Sequence, residues 1–223
     1  MRYLLVALLL APLHLAPGKD VEPGSERSRW VIKTSLPANT DLTKPGVAIK
    51  LDDFLQLKPA APALTKDYWS KLYAKVDGAP AGEGKIVRTV GYVRLVAEED
   101  DGDFHIQMTT KPDNLDNCLV VEVPVADDKF VAKSAQVLGA AKQVRTFVVA
   151  RLLGGVEPKP GSNHVMAGQA YVEVTGQLFF DAEHEAATEK GTYRGKAIKG
   201  QQLPSKTAWE IHPITAMRFV PRP

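Results

Sequence analysis

Carboxylates and histidines stand together at several places in this 223-residue chain. Asp101-Gly102-Asp103-Phe104-His105 closes a stretch in which Glu98, Glu99, Asp100, Asp101 and Asp103 put five carboxylates into six positions. Glu122 sits among valines in the run CLVVEVPV, residues 118–125. Asp181 and His184 follow Phe179-Phe180, and Glu210 and His212 flank Ile211. Oxygen ligands suit hard cations such as Ca2+ or Mg2+. Imidazole mixed with carboxylate suits Zn2+ or a similar ion. The same pairs also serve as plain hydrogen-bonded supports for loop ends. The candidate metal ligands are Asp103, His105, Glu122, Asp181, His184, Glu210 and His212.

Period two says which of these side chains share a face. In DFHIQMTT, residues 103–110, Phe104, Ile106 and Met108 face one side while Asp103, His105 and Gln107 face the other. Near the C-terminus Trp209 and Ile211 read as core, which turns Glu210 and His212 away from it. The acidic run reads as a hairpin tip in which Gly102 supplies backbone freedom. Glu98 to Asp100 are expected to be solvated there, leaving specific work to Asp103 and His105 at the base. Glu122 needs a hydrogen-bonded partner, a cation or a raised pKa, because an unpaired buried carboxylate is costly. Arg88 and Arg94 on the preceding strand are candidate partners.

The elements that must carry these residues follow one another along the second part of the chain. KIVRTVGYVRLVA (85–97) is a long β-branched strand with Gly91 at a bend or bulge. The alternating strand from Asp103 and the apolar strand from Cys118 come next. Asp127 or Asp128 can cap a helix whose face is Phe130, Val137, Ala141, Val144 and Val148, with Gly154-Gly155 as its stop. GQAYVEVTGQLFFD (168–181) is a fourth strand. After a polar loop (182–207), AWEIHPITAMRFV (208–220) is a fifth, in which Pro213 marks an edge or bulge. Three strands, a helix and two strands is the element order of an OB-fold. The predicted class is mainly β, an OB-like five-stranded barrel with one long helix between strands 3 and 4. An OB-fold binds its ligand over its strand face, which makes Arg88, Tyr92, Arg94 and Gln107 the candidate ligand-binding residues. The adjoining acids repel a phosphate backbone, so a small molecule, glycan or protein is a better partner than nucleic acid.

The N-terminus, MRYLLVALLLAPLHLAPG (1–18), has the layout of a secretory signal peptide, with Arg2 before a short apolar stretch. That stretch falls short of the ~20 apolar residues a membrane span needs. The expected location is extracytoplasmic, secreted or periplasmic. Residues 19–84 read as an extended N-terminal arm, with a short helix over Tyr68, Trp69, Leu72, Tyr73 and Val76. The barrel domain occupies 85–223, and residues 85–220 are expected to fold without 19–64. Cys118 is the only cysteine, which excludes an intramolecular disulfide and a Cys-based zinc site. A net charge of +2 gives no polycationic signature of nucleic-acid binding.

Two resemblances add to this reading. The DGD corner followed one strand later by LVVEVP resembles staphylococcal nuclease, an OB-fold enzyme. The resemblance places Asp103 and Glu122 on that family's two metal-binding acids. Its catalytic arginine and glutamate would fall on Asn117 and Val125, so the resemblance implies the fold and not that phosphodiester hydrolysis. Over residues 65–220 the chain is similar to a class of small exported bacterial proteins. Their shared succession is D-G-D-x-H, E-x-P, F-F-D-x-x-H and E-x-H-P, here 101–105, 122–124, 179–184 and 210–213. That resemblance implies a fold and an exported location, and no reaction. The chain departs from the class after His184, in EAATEKGTYRGKAIKGQQLPSK (185–206).

No nucleophile is in an activated context: Ser134 and Ser162 lie in no nucleophile elbow, and Cys118 reads as core. The catalytic residues therefore stay unassigned. The function expected is an exported OB-like binding module of unspecified ligand, with a divalent cation (Zn2+, Ca2+ or Mg2+) at the acid–histidine residues. The alternatives are a metal-dependent phosphodiesterase and a structural accessory domain. Convergence of the residues discriminates among them, because an enzyme needs them in one pocket with an open metal position.

Overall fold

The structure is a computed structural model that describes residues 29–58, 71–72, 78–127, 131, 134–166, 170–181 and 195–223. The leader, most of the helix expected over 68–76, Asp128, Phe130 and His184 lie outside the described residues. The described strands are β1 (Val47–Ala48), β2 (Ile86–Glu98), β3 (Phe104–Thr109), β4 (Leu119–Val123), β5 (Asn163–Val165), β6 (Tyr171–Phe180), β7 (Ala197–Ile198), β8 (Gln201–Gln202) and β9 (Trp209–Phe219). The α-helices are α1 (Trp30–Lys33), α2 (Leu51–Phe54) and α3 (Ala135–Phe147).

Five of these strands close into a barrel in the order β2-β3-β4-β9-β6 and back to β2. The long β2 makes closure possible. Its first half pairs with β6, from Ile86↔Gln177 to Tyr92↔Tyr171, and its second half pairs with β3, from Tyr92↔Thr109 to Glu98↔Phe104. β4 and β9 run parallel and meet at Val121↔Ile211, while β6 and β9 are antiparallel. Exchange of the last two strands in the spatial order makes this a Greek key, and with the helix between the third and fourth barrel strands it is the OB arrangement.

Alternation works as the strand patterns require. Phe104, Ile106, Met108, Val121, Val123, Trp209 and Ile211 all enter one buried cluster that fills the barrel. Pro213 lies where the β6–β9 register shifts, between Ile211↔Leu178 and Ile214↔Gly176, so the bulge reading is the one realised. On β2 the bulge lies between Val93 and Leu95 and not at Gly91. Gly91 instead makes room for a neighbour: a Cβ there would press on the Leu51 side chain.

The helix differs from expectation at its start. Ser134 is the N-cap, in extended backbone with its hydroxyl accepting from the Val137 N–H at 3.3 Å, in place of Asp127 or Asp128. Val137, Ala140, Ala141 and Val144 form the buried face, and a π-helical turn over Val148–Leu152 carries that face on to Gly154 and Gly155. Both glycines have positive φ, which ends the helix.

The arm is part of the same packing. Ile49, Leu51, Phe54 and Leu57 belong to the barrel's buried cluster. Arg29 makes a bidentate pair with Glu83 at 2.7 and 2.9 Å, both side chains fully buried. A second, smaller cluster of Leu95, Ala97, Cys118, Ile198 and Leu203 lies on the outer face of β2–β3–β4. There the β7–β8 hairpin lies over the sheet. None of the described helices is long and apolar enough to cross a membrane.

Candidate metal centre

The site grows from the outward side chains of three barrel strands. β3 supplies His105, β4 supplies Glu122 directly opposite it (His105↔Glu122), and β9 supplies Glu210 and His212. Asp103 enters from the β2–β3 turn, where Gly102 takes a positive φ and the Glu99 N–H bonds the Asp103 carbonyl at 2.9 Å. Outward does not mean exposed here. Asp103, His105, Glu122, Glu210 and His212 are all buried, and both α1 and the β7–β8 segment make contact at this face. Gln177 Nε2 donates to the Ile32 carbonyl to hold α1 down. Gln107 holds the other cover: its Oε1 accepts from the Lys196 N–H at 2.7 Å and its Nε2 donates to the Leu203 carbonyl at 3.0 Å.

Two sets of ligand-type atoms converge, and they share Glu122: Glu99, His105 and Glu122 form one, and Asp103, Glu122 and His212 the other. Within each set the candidate ligand atoms lie within 4.8 Å of one another. Glu122 faces both, its Oε1 2.9 Å from His105 Nδ1 and its Oε2 3.2 Å from His212 Nδ1. Four of the expected ligands (Asp103, His105, Glu122 and His212) are therefore brought together, and Glu210 Oε2 stands 3.8 Å from His212 Nδ1. Asp181 is buried but is not in either set, and its N–H bonds the Ala208 carbonyl.

The two sets differ in how fully they are satisfied. His105 hydrogen-bonds Glu122 through Nδ1 and approaches Gln107 Oε1 at 3.3 Å through Nε2, while Glu99 is met by Lys196 at 3.1 Å. The second set is underused. Asp103 Oδ1 accepts from the Val125 N–H at 2.9 Å, but Asp103 Oδ2 and both His212 nitrogens are buried without a hydrogen bond. His212 Nε2 lies 3.4 Å from Asp103 Oδ2, at ion-pair distance but without hydrogen-bond geometry. Buried polar atoms of this kind are uncommon in native structures, and each requires a physical reason.

Charge is concentrated here. Burial disfavours the His212 imidazolium, yet Asp103 and Glu122 outweigh it and raise the ring's pKa above 6.5. Burial likewise disfavours the Asp103 carboxylate, and Lys33 and His212 reverse that and lower its pKa. Lys33 at the end of α1 reaches in from the arm, 3.1 Å from Asp101 Oδ2 and 3.5 Å from Asp103 Oδ2. Its own pKa is raised: burial opposes the ammonium, and Asp103, Asp101 and Glu122 more than compensate.

Three participants were not anticipated. Glu99 is no solvated tip acid, since its carboxylate bends back to 3.2 Å from His105 Nδ1. The register Ala97↔His105 could have revealed this, because Glu99 is two residues beyond Ala97 and so on the His105 face. Asp101, which accepts from the Asp103 N–H at 3.1 Å, and Lys33 complete the trio. Three of the four expected ligand-binding residues have partners within the fold. Arg88 bonds the Gly46 carbonyl and Glu173, Tyr92 packs on Tyr171 at 4.7 Å between ring centroids, and Gln107 pins the cover. Arg94 is buried with its Nε unbonded. Compared with protein-family models, curated proteins and solved structures, the chain finds no match.

Proposed function

We propose that this protein is an exported OB-type binding module whose covered face holds one divalent cation of the zinc class through Asp103, Glu122 and His212. What carries the reading is one observation: Asp103 Oδ2 and the His212 nitrogens are buried without a hydrogen bond of good geometry, and one atom of each residue lies within 4.8 Å of a Glu122 oxygen. One ligand atom from each of Asp103, Glu122 and His212 lies within 4.8 Å of the other two, a triangle that modest side-chain rotation draws in around one four-coordinate ion. One imidazole nitrogen beside carboxylates favours a borderline ion over Ca2+ or Mg2+, which take oxygen alone. His105 then acts as the outer support of Glu122, orienting the carboxylate as such partners do for ligand side chains. The leader-like residues 1–18 support export. A binding role is preferred to phosphodiester hydrolysis because Asp103, Glu122 and His212 are all buried, whereas an enzyme needs an open position on its metal.

The test is thermal denaturation of chelator-treated protein with added Zn2+. Stabilisation should grow as RT ln(1 + [L]/Kd), about 2.7 kcal/mol at a hundredfold excess over Kd. Asp103→Asn and His212→Ala should each remove it. A melting temperature indifferent to Zn2+ in the wild-type protein would leave a hydrogen-bonded structural cluster and sink the metal.

A further inference from the structure

We infer that Lys33 is a tethered cation that competes with the metal, so that metal loading and docking of the N-terminal arm oppose each other. The inference rests on the metal reading of the Asp103–Glu122–His212 set and adds its regulation.

The geometry is specific. Asp103 has two carboxylate oxygens with separate duties. Oδ1 is committed to the Val125 N–H, while Oδ2 is the atom left for an ion. Lys33 Nζ stands 3.5 Å from that same Oδ2, and His212 Nε2 approaches it at 3.4 Å. An ion bonded to Oδ2 at about 2.1 Å would therefore stand close to a buried ammonium. Few mobile counter-charges reach the pair, because the Lys33 side chain is largely covered, and repulsion between buried charges is poorly screened. One of the two cations must give way.

Lys33 is the one that can move. Asp103, Glu122 and His212 are fixed by the barrel: Glu122 and His212 sit on paired strands, and Asp103 is held at the hairpin base. Lys33 ends the four-residue helix α1, which contributes no buried residue of its own. The Arg29–Glu83 pair anchors the arm on the N-terminal side of that turn, and Gln177 grips it at the Ile32 carbonyl. Withdrawal of Lys33 thus loosens one turn about a fixed pivot and leaves Arg29 in place. The arm's grip on the acids is itself part of what docks it, and the metal removes that grip. Coupling of this kind is reciprocal: whatever factor the arm takes from metal affinity, the metal takes from arm docking. The site then serves as a metal-responsive latch, in which the face beneath α1 is closed by a lysine when metal is scarce and opened when it is bound.

Two measurements on the full chain test this. In isothermal titration with Zn2+, Lys33→Gln should bind at least tenfold more tightly than wild type, about 1.4 kcal/mol, while Lys33→Arg, which keeps the charge, should bind like wild type. Hydrogen exchange on the wild-type protein supplies the second readout, independent of any variant's folding. Zn2+ should speed exchange of the Lys33 and Thr34 amides, which bond the Arg29 and Trp30 carbonyls, and slow exchange in β4 and β9. Equal affinities for wild type and Lys33→Gln, or α1 amides slowed by Zn2+, overturn the competition while leaving the metal site standing. No binding to any of the three proteins overturns the metal site, and the latch with it.

Discussion

His212 is where the chemistry of this cluster is most easily read from outside. Its ring faces Asp103, Glu122 and Glu210, with Lys33 beyond Asp103, and the acids raise its pKa in the fold. A group whose folded pKa is raised adds stability that is fully present below its unfolded value and is lost as pH rises through the folded value. In the metal-free protein the His212 contribution should therefore be intact below about pH 6.5 and fade above it. Melting temperatures across a pH series should show His212→Asn closing on wild type as pH rises; a gap that stays constant means that folding leaves the ring's pKa unshifted, and one that widens with pH means that the fold holds the ring neutral. At this scale the sequence was informative where side-chain parity decides the outcome, as for His105 against Phe104 or His212 against Ile211. It was silent on Lys33, because nothing in VIKTS (31–35) encodes which acids, about seventy residues on, that ammonium will meet.

Elements were legible to the extent that they depend on local pattern. The barrel strands follow from alternation and from the β-branched runs, and α3 follows from its apolar face. The α3 cap is hard to place because two aspartates before an apolar run look like a better start than a lone serine, yet the described helix begins after Ser134. Close strand contact was not legible at all. At Gly176, opposite the β9 bulge, a Cβ would run into the Pro213 carbonyl and the Ile214 Cα, which are backbone atoms with little room to give. Gly176→Ala is expected to cost about 1–3 kcal/mol or more, as overpacking does. Gly139→Ala on α3, where nothing lies within 4 Å, should instead stabilise by up to about 1 kcal/mol. Urea denaturation of both variants checks the pair, and a mild effect at Gly176 would mean that β6 and β9 are less tightly apposed than described.

For the molecule as a whole, the boundary drawn from composition at 84/85 does not coincide with a boundary in the core. Ile49, Leu51, Phe54 and Leu57 pack into the barrel's own cluster, and the Trp209 indole donates to the Lys58 carbonyl. A chain starting at Gly82 would lose these apolar side chains and leave Glu83 buried without Arg29, a loss of the kind that costs about 3–5 kcal/mol for a broken buried pair. Such a chain is expected to bind a hydrophobic dye and to lack a cooperative melt; a sharp transition close to that of the full chain would show the barrel to be self-sufficient. The arm escaped sequence analysis because its Pro- and Lys-rich composition hides four core residues, spread over nine positions, with no strand or helix period long enough to register.

The seams of the barrel also set an order in time. β9, the latest barrel strand in sequence, is neighbour to both β4 and β6, and β2 must find β6 across some eighty intervening residues. As the polypeptide is synthesised from its N-terminus, β4 and β6 each lack their β9 partner until residues 209–219 are available. Such long-range pairing folds slowly, and open edges invite wrong partners. Vectorial synthesis therefore leaves this chain in need of protection for longest at the moment just before its last strand arrives.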